Sequence, residues 1–478
     1  MIFLYIFLAA VAVFLAVILV RAAMFKPKTF PVKEAEPIDF DREAPVNALQ
    51  QLIKCKTVSY YESEKEDDAE FEKLVELLPQ LYPEVFKACS FERFSGRALL
   101  FKWEGKKHEK PTVLMAHFDV VPVEEDKWEK PPFEGIIEDS VLWGRGTLDT
   151  KVTFNGVLYA ANHLIAQGFV PENDIYLAFS GSEEINGKGA SSIVDYFEEK
   201  GIELGLVLDE GGAVVENVFP GVKKPCGLIG IAEKGMMNVT FSVSSGGGHA
   251  SAPKPHTPIG VLAKACCDIE NNPFPMHVTK PAAEMFDTLG RNSTFLYKII
   301  FANLGIFKGI LNSLAKKSGG EMNALLRTTV AFTQATGSLA PNVIPPVATM
   351  TANLRLNHLD TVESAEKRLK KIVNNENITL TVFRGTNPSR ISLTEGAAWD
   401  KVSAAVANTW PDCIVSPYLM VQCSDSRHYG RISDKVYRFS ALAMTPEERK
   451  TIHGNNERIR LESINKAVEF YIRLIKNC

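Results

Sequence analysis

The chain has 478 residues, of which 46% are hydrophobic and 23% are charged, so it is long enough for two or more domains with separate cores. The formal net charge of -4 excludes a strongly basic surface, and we therefore expect no nucleic-acid partner. The eight cysteines show no CxxC spacing, which excludes a thiolate zinc site and a fold that depends on disulfides.

Residues 1–22 are predicted to form a membrane anchor or a signal segment. No charged residue occurs from Ile2 to Val20, and this length is about enough to cross a bilayer core of roughly 30 Å. The basic start of a cleavable signal peptide is missing, so we favour an uncleaved anchor, followed by a tether over residues 23–43. Cleavage is the alternative and would leave a secreted protein or one in the endomembrane lumen. Arg21 and Lys26 favour a cytosolic body, but both orientations stay open.

From residue 44 to residue 235 the pattern alternates between strands and helices. The predicted strands are 112–116, 141–143, 174–180 and 204–208, and the predicted helices are 152–167 and 190–200. The helical patterns end at Gly168 and Gly201, and glycine is typical of a helix C-terminus. This alternation predicts an α/β domain with a mostly parallel sheet.

Residues 236–388 are predicted to form a smaller α+β domain, an open sandwich inserted into the first domain. Its predicted strands are 239–243, 347–356 and 378–382, and its predicted helices are 259–269 and 362–373. The stretch 276–325 is irregular and receives no assignment. Residues 389–478 are predicted to return to the first domain and to end with an amphipathic helix over 461–476.

Acidic residues and one histidine follow four successive predicted strands, at the point where each strand ends. They are His117 and Asp119, then Asp149, then Glu183 and Glu184, then Asp209 and Glu210. Ligands of open parallel sheets gather at the carboxyl ends of the strands, so these side chains are expected to converge on one crevice. Carboxylates that are forced together need a cation to be stable. Histidine and carboxylate ligands without cysteine indicate a catalytic zinc, for which manganese or cobalt could substitute.

His117 and Asp119 are two residues apart on an extended segment, so their side chains point to the same side. Asp119 is therefore expected to accept a hydrogen bond from the second nitrogen of the His117 imidazole. Such a contact fixes the tautomer of a metal-binding histidine.

Five motifs carry a resemblance to a known family. They are His117-Phe-Asp119-Val-Val-Pro122, Trp143-Gly-Arg-Gly-Thr-Leu-Asp149, Ser182-Glu183-Glu184, Gly247-Gly248-His249-Ala-Ser and His453-Gly-Asn-Asn-Glu457. In order and spacing they resemble the aminoacylase / carboxypeptidase S family of two-zinc peptidases, and within it most of all the N-fatty-acyl-amino-acid synthase/hydrolases and carboxypeptidase S. The resemblance implies a zinc-peptidase catalytic domain with the inserted domain as its lid.

The resemblance also implies a role for each metal-site residue. Asp149 would bridge two Zn²⁺ ions. His117 and Asp209 would complete one metal site, and Glu184 and His453 would complete the other. Glu183 would be the general base, which takes a proton from the activated water and passes it to the leaving amine.

Three further residues would act on the substrate. In the family, the lid histidine that matches His249 helps to hold the oxyanion, often in the site of the partner subunit, which implies a homodimer formed through the lid domain. Asn342 matches a position that contacts the substrate. Arg427 matches an arginine that binds the free carboxylate of the substrate, a task that suits a planar guanidinium.

The implied function is metal-dependent hydrolysis, or the reverse synthesis, of the amide bond of an N-acyl amino acid or a small C-terminal dipeptide. Deacetylation of a biosynthetic N-acetyl intermediate is an alternative, and a catalytically silent ligand-binding homologue is another. The sequence departs from the family pattern at Thr150, where an aspartate is usual, and at Gln422-Cys423-Ser424, where glycines are usual. The first change leaves the metal ligands in place, whereas the second bears on the substrate.

Overall fold

The computed structural model describes residues 1–28 and 36–478, so part of the predicted tether over residues 23–43 lies outside the described residues. The N-terminal helix is α1 (Ile2–Met24), in which Ile18 and Ala22 are the buried residues. Among the described residues, α1 is one continuous helix that is long and apolar enough to cross a membrane. Its length and composition fit an anchor or a signal segment.

Residues 44–233 alternate between helices and strands. The helices are α2 (Ala44–Ile53), α3 (Asp68–Leu81), α4 (Pro83–Ala88), α5 (Lys151–Ala166) and α6 (Gly189–Lys200). The strands are β1 (Ser90–Phe94), β2 (Ala98–Trp103), β3 (Lys107–His117), β4 (Ile136–Glu138), β5 (Val141–Trp143), β6 (Asn173–Ser180), β7 (Leu206–Val215) and β8 (Cys226–Glu233). Helix α6 ends at Gly201, whose φ of 63° is a left-handed conformation that glycine adopts without steric cost.

Residues 235–386 contain the second group of elements. The strands are β9 (Gly235–Ser244), β10 (Gly248–His249), β11 (Thr329–Thr336), β12 (Val343–Ile344), β13 (Val347–Leu356) and β14 (Thr379–Thr386). The helices are α7 (Pro258–Asn271), α8 (Lys280–Arg291), α9 (Phe295–Phe301), α10 (Leu304–Ser318), α11 (Gly320–Leu326) and α12 (Val362–Val373). The last part of the chain contains α13 (Ala397–Thr409), β15 (Ile414–Met420), β16 (Val436–Met444), α14 (Pro446–Arg449), β17 (Arg458–Arg460) and α15 (Leu461–Lys476).

The main sheet has eight strands in the order β1-β2-β6-β3-β7-β16-β8-β15. Its centre is parallel, because β3 pairs in parallel with β6 and β7, and β16 pairs in parallel with β7. Helices α5 and α15 pack in the apolar cluster on one face, whereas α6 packs in the cluster on the other. A mostly parallel sheet with helices on both faces confirms the predicted α/β fold.

A second sheet has four antiparallel strands in the order β11-β13-β9-β14. We call it the lid sheet, after the role that the family resemblance implies for this domain. Helices α7 and α12 pack against it and share its apolar cluster. The sequence analysis found three of these strands and missed β11, because most of its side chains are exposed and show no apolar alternation. The domain limits of 236 and 388 stay a prediction.

The stretch that received no assignment is largely helical and comprises α8 to α11. Met285, Phe286 and Leu289 of α8 lie in one buried cluster with Leu419 and Met420 of β15. These helices therefore pack on the edge of the main sheet, although the chain reaches them from the lid sheet and returns to it afterwards.

Strand β5, which precedes Asp149, does not belong to the main sheet. It pairs with β4 and β17 in a separate sheet of three strands. Its three residues form too short a pattern to indicate which sheet they join. The sequence analysis expected Asp149 to follow a strand of the main sheet. Asp149 instead reaches the other site residues on a loop after β5.

Candidate metal centre

Asp149 lies between two histidines. Its Oδ1 atom is 3.0 Å from Nε2 of His117, and its Oδ2 atom is 3.2 Å from Nε2 of His453. His117 ends β3, whereas His453 lies in the loop between α14 and β17. Each oxygen of Asp149 thus faces a different imidazole, which is the geometry of a carboxylate that can be shared by two cations.

Two glutamates complete the cluster. Oε1 of Glu210 is 3.3 Å from Nε2 of His117, and Oε2 of Glu184 is 3.1 Å from Nε2 of His453. The ligand atoms of His117, Asp149 and Glu184 lie within 4.8 Å of one another. The structure therefore brings together His117, Asp149, Glu184 and His453 of the predicted ligand set.

Asp209 is the predicted ligand that the structure places differently. Its Oδ1 atom accepts a hydrogen bond from the amide of Glu210 at 2.9 Å, and its Oδ2 atom accepts one from the amide of Ser426 at 2.8 Å. Strand β7 loses its register with β16 directly after Asp209. This bulge directs Glu210 towards His117, as bulges beside active sites often re-aim a side chain. Glu210 thus places its carboxylate beside Nε2 of His117, whereas the carboxylate of Asp209 accepts two backbone amides.

Asp119 organises the site through both its backbone and its side chain. Its carbonyl oxygen accepts a hydrogen bond from Nδ1 of His117 at 2.9 Å, whereas its carboxylate lies 3.4 Å from that nitrogen. The carboxylate accepts the amides of Glu183 and Glu184 at 3.1 and 3.2 Å, and the hydroxyl of Ser59 at 2.8 Å. The backbone therefore supplies the closer contact to the imidazole and leaves Nε2 of His117 free to bind a cation.

The charges of the cluster fit bound cations. Burial, together with the charge of Asp149, raises the pKa of Glu210 to about 7. Hydrogen bonds to Asp149 and Glu184 raise the pKa of His453 to about 11. Among the described residues, the buried Oε1 atom of Glu184 has no hydrogen-bond partner. Cations at this cluster would neutralise the carboxylates and provide a partner for that oxygen.

Glu183 lies directly beside the cluster. Its carboxylate, the imidazole of His117 and the carboxylate of Glu210 have ligand atoms within 4.8 Å of one another. Burial raises the pKa of Glu183 well above its usual range, and the charge of Asp425 acts in the same direction. A carboxylate at this position, buried beside the cluster, is placed to accept a proton from a water molecule there and to return it.

Arg427 lies in the short 3-10 helix Asp425–Arg431. Burial would lower the pKa of its guanidinium, but the charges of Asp425, Glu233 and Glu183 raise that pKa above its usual value. Arg427 is therefore close enough to Glu183 to interact with its charge.

His249 lies in β10, and Asn342 directly precedes β12, the strand with which β10 pairs. The amide of Ala250 donates to the carbonyl of Asn342 at 3.0 Å. Nδ1 of His249 accepts the amide of Ser251 at 3.1 Å, so Nε2 carries the proton of the neutral ring. Both residues are exposed, and within the part of the chain that the structure describes no ion pair or candidate metal group joins them to the cluster.

The sequence analysis placed Glu210 at the predicted crevice without naming it as a ligand, and it assigned no role to Glu457. Glu457 accepts the amides of Leu148 and Asp149 at 2.7 and 3.2 Å, so it holds the loop that carries the central carboxylate. A signal for Glu210 was its place beside Asp209, since adjacent residues of a strand point to opposite faces and only one can enter a site.

The chain is similar to known proteins over nearly all of its length. The sequence family described as peptidase family M20/M25/M40 matches residues 113–477. An N-fatty-acyl-amino acid synthase/hydrolase of Xenopus tropicalis is 35% identical, over 98% of this chain and 94% of its own length. The probable carboxypeptidase S-like 2 of Dictyostelium discoideum is 32% identical, over 96% of this chain and 90% of its own length.

Solved structures of low sequence identity share the fold. The M20 family metallo-carboxypeptidase Sso-CP2 from Sulfolobus solfataricus has a TM-score of 0.66 at 18% identity and covers 90% of this chain and 98% of its own. Human carnosine dipeptidase 1 has a TM-score of 0.67 at 13% identity and covers 91% of this chain and 96% of its own. The predicted α/β fold and family are thereby confirmed. The chain belongs to peptidase family M20/M25/M40, whose members are metal-dependent hydrolases.

Proposed function

We propose that this enzyme cleaves, or in reverse forms, the amide bond of an N-acyl amino acid or a small C-terminal dipeptide, with two Zn²⁺ ions bridged by Asp149. The observation that carries the proposal is that each carboxylate oxygen of Asp149 faces its own histidine. His117 and Glu210 form one pole of the cluster, and His453 and Glu184 form the other. Two poles around one carboxylate favour two ions over one.

We infer that Glu210 and not Asp209 is a ligand, because both oxygens of Asp209 already accept backbone amides. The donor set then consists of imidazole nitrogens and carboxylate oxygens without a thiolate. This set suits a catalytic zinc site, and Mn²⁺ or Co²⁺ are possible substitutes.

When bound, the ions would polarise the scissile carbonyl and lower the pKa of a water molecule towards neutrality. The protein supplies the proton transfer. Glu183, buried beside His117 and Glu210, takes a proton from this water and returns it to the leaving amine. The Asp119 carboxylate holds Glu183 in place by accepting its amide hydrogen.

Arg427 is proposed to bind the free carboxylate of the substrate. In an N-acyl amino acid the carboxylate and the amide nitrogen are attached to the same carbon, so a cation that holds the first brings the second near Glu183. The names of two relatives, an N-fatty-acyl-amino acid synthase/hydrolase and a probable carboxypeptidase, support a substrate of this kind.

His249 and Asn342 are proposed to contact the substrate from the lid. Both are exposed, His249 on β10 and Asn342 just before β12, and Nδ1 of His249 already has a partner, which leaves Nε2–H to donate. In this proposal the pair reaches a site by lid closure or from the partner subunit of a homodimer. A hydrogen bond from His249 would then stabilise the developing oxyanion.

Helix α1 is proposed to anchor the enzyme in a membrane. It has no charged residue from Ile2 to Val20, and all of its residues except Ile18 and Ala22 are at least partly exposed. An apolar helix of this length is stable when lipid surrounds it. Cleavage after α1 would instead give a secreted or lumenal enzyme.

The test measures the release of the free primary amine, an amino acid or an amino-acid amide, from acetylated and long-chain N-acyl amino acids and from dipeptides, each next to its C-terminally amidated counterpart. We expect turnover of substrates with a free carboxylate, loss of turnover with a chelator, and recovery on addition of Zn²⁺. Turnover that is unaffected by chelation would contradict the metal mechanism, and equal turnover of the amidated compounds would contradict the role of Arg427.

A further inference from the structure

Helices α9 and α10 form an angled pair with a large exposed apolar surface, which we call the α9–α10 elbow. Their axes differ by 104°. The exposed fractions are 52% for Phe295, 69% for Leu296, 47% for Ile306, 53% for Ile310 and 56% for Leu314. Scattered apolar side chains are normal on a protein surface, but a contiguous group of this kind marks a binding surface.

The exposed residues of α10 lie on one stripe of the helix. Ile306, Ile310 and Leu314 are four residues apart, which places them above one another on the same face. Leu311 and Ala315 are buried in the apolar cluster that joins α10 to the main sheet. Helix α10 is thus apolar on two faces, and the protein itself covers one of them.

The elbow lies where α1 meets the body of the protein. Ile18 and Ala22 are the buried residues of α1, and the Asn303 side chain between α9 and α10 donates to the carbonyl of Ile18 at 3.3 Å. Residues 2–17 of α1 are exposed on every side. A bilayer around this part of α1 would end at about the level of α9.

The charges of the elbow suit an anionic lipid surface. Lys308, Lys316 and Lys317 are exposed along α10, and no acidic residue occurs from Asn292 to Ser318. Arg21 and Lys26 follow at the end of α1. Basic residues beside an apolar face are typical of helices that lie in the interface of a membrane. Their like charges disfavour a second copy of the same surface as the occupant.

We propose that the α9–α10 elbow lies in the headgroup region of a bilayer with anionic lipids, beside the point where α1 enters it. Neither helix spans the bilayer, since α9 has 7 residues and α10 has 15, which correspond to roughly 10 and 22 Å. The body is then held at two places on the membrane, and its orientation is fixed. This proposal rests on the proposed membrane anchor α1, but it is independent of the reaction that the enzyme catalyses.

The test uses the full chain in vesicles of phosphatidylcholine and phosphatidylglycerol. The environment-sensitive dye NBD is attached at Ile310→Cys, in a chain in which the exposed thiol of Cys267 is removed by Cys267→Ser. The matched control carries the dye at Leu359→Cys, because Leu359 is 66% exposed and follows a strand of the lid sheet. Thermal unfolding in detergent verifies that each labelled chain is folded.

We expect lipids with a nitroxide near the headgroup to quench the dye at position 310 by roughly half or more and to leave the weaker emission of the dye at 359 unchanged. Equal, weak quenching at both positions would overturn the proposal, because position 310 would then be in water. A dye at 310 that is shielded from water but insensitive to nitroxide lipids would also overturn it, since another protein surface would be the occupant.

Discussion

The guanidinium of Arg145 donates to the carboxylate of Glu457 across 2.6 Å, and both side chains are buried. The same carboxylate accepts the amide of Leu148 at 2.7 Å. This ion pair joins the loop that carries Asp149 to the segment that carries His453. The distance between these two residues of the cluster therefore depends on a pair that takes no part in the reaction.

We expect Glu457→Gln to destabilise the protein strongly, because it leaves Arg145 buried without a carboxylate partner. Breaking a buried ion pair from one side costs roughly 3–5 kcal/mol. The free energy of unfolding in urea measures this loss. Hydrolysis should fall as well, since the loop that positions Asp149 loses its anchor.

The matched control is Glu72→Gln, which breaks the surface ion pair between Glu72 and Arg93. The two side chains of that pair are 50% and 46% exposed, so we expect a loss below about 1 kcal/mol. An equal loss of stability in both variants would show that the Arg145–Glu457 pair does not hold the two segments together.

Glu183→Gln tests the general base. We expect the rate of amide hydrolysis to fall roughly a hundredfold to ten-thousandfold, because the variant can neither take nor return the proton. The metal content per chain, measured by mass spectrometry, should be unchanged. Metal loss together with activity loss would show that Glu183 is a ligand instead.

Glu210→Gln and Asp209→Asn separate the two candidate ligands. We expect Glu210→Gln to lose one of two bound ions, because the amide is a much weaker ligand than the carboxylate. Asp209→Asn should keep both ions, although it weakens the hydrogen bond to the amide of Ser426. The opposite pattern of metal contents would restore Asp209 as the ligand.

Arg427→Ala tests the recognition of the substrate carboxylate. Loss of a charge-assisted contact worth roughly 1.5–3 kcal/mol predicts a fall in kcat/KM of roughly 10- to 100-fold. We expect most of the fall in kcat/KM to come from a higher KM, and we expect Arg427→Lys to restore part of kcat/KM. Substrates with an amidated C-terminus should show little difference between the variants and the unchanged enzyme.

His358 predicts a pH dependence of stability. Burial lowers its pKa from 6.5 to about 4, and its Nε2 atom lies 3.1 Å from the carbonyl oxygen of Ser389. Between pH 6.5 and about pH 4 the unfolded chain binds a proton at His358 that the folded protein does not bind. The free energy of unfolding therefore falls as the pH falls. The free energy of unfolding should drop by roughly 3 kcal/mol more in the unchanged protein than in His358→Gln between about pH 7 and about pH 4. Parallel curves for the two proteins would contradict this assignment.

The part of the site that follows from the sequence is the part that local patterns encode. His117 and Glu184 stand at the ends of buried strands, where a parallel sheet collects its ligands, and the structure finds them there. Which of Asp209 and Glu210 faces His117 is not encoded in a local pattern. It depends on a bulge in β7, which arises from the pairing with β16 more than 200 residues later in the chain.

The fold shows the same division. The predicted helices over 362–373 and 461–476 have the limits of α12 and α15, because the apolar stripe of each lies within the helix itself. Helices α9 and α10 escaped assignment because their apolar residues are divided between a buried cluster and an exposed surface. A pattern with two apolar faces does not show the single stripe that identifies a surface helix.

The placement of α8 to α11 restricts how the lid can move. The chain crosses between the lid sheet and the main-sheet unit four times, after β8, α7, α11 and β14. Lys234, at the first crossing, donates to the carbonyls of Ala324 and Arg327 beside the third at 2.8 and 2.7 Å. A domain joined to its neighbour by two adjacent connections can rotate about a hinge. Four connections, two of which are linked by hydrogen bonds, resist rotation about any single axis. We therefore expect any movement of the lid sheet against the main sheet to be a short sliding displacement with little change in its tilt.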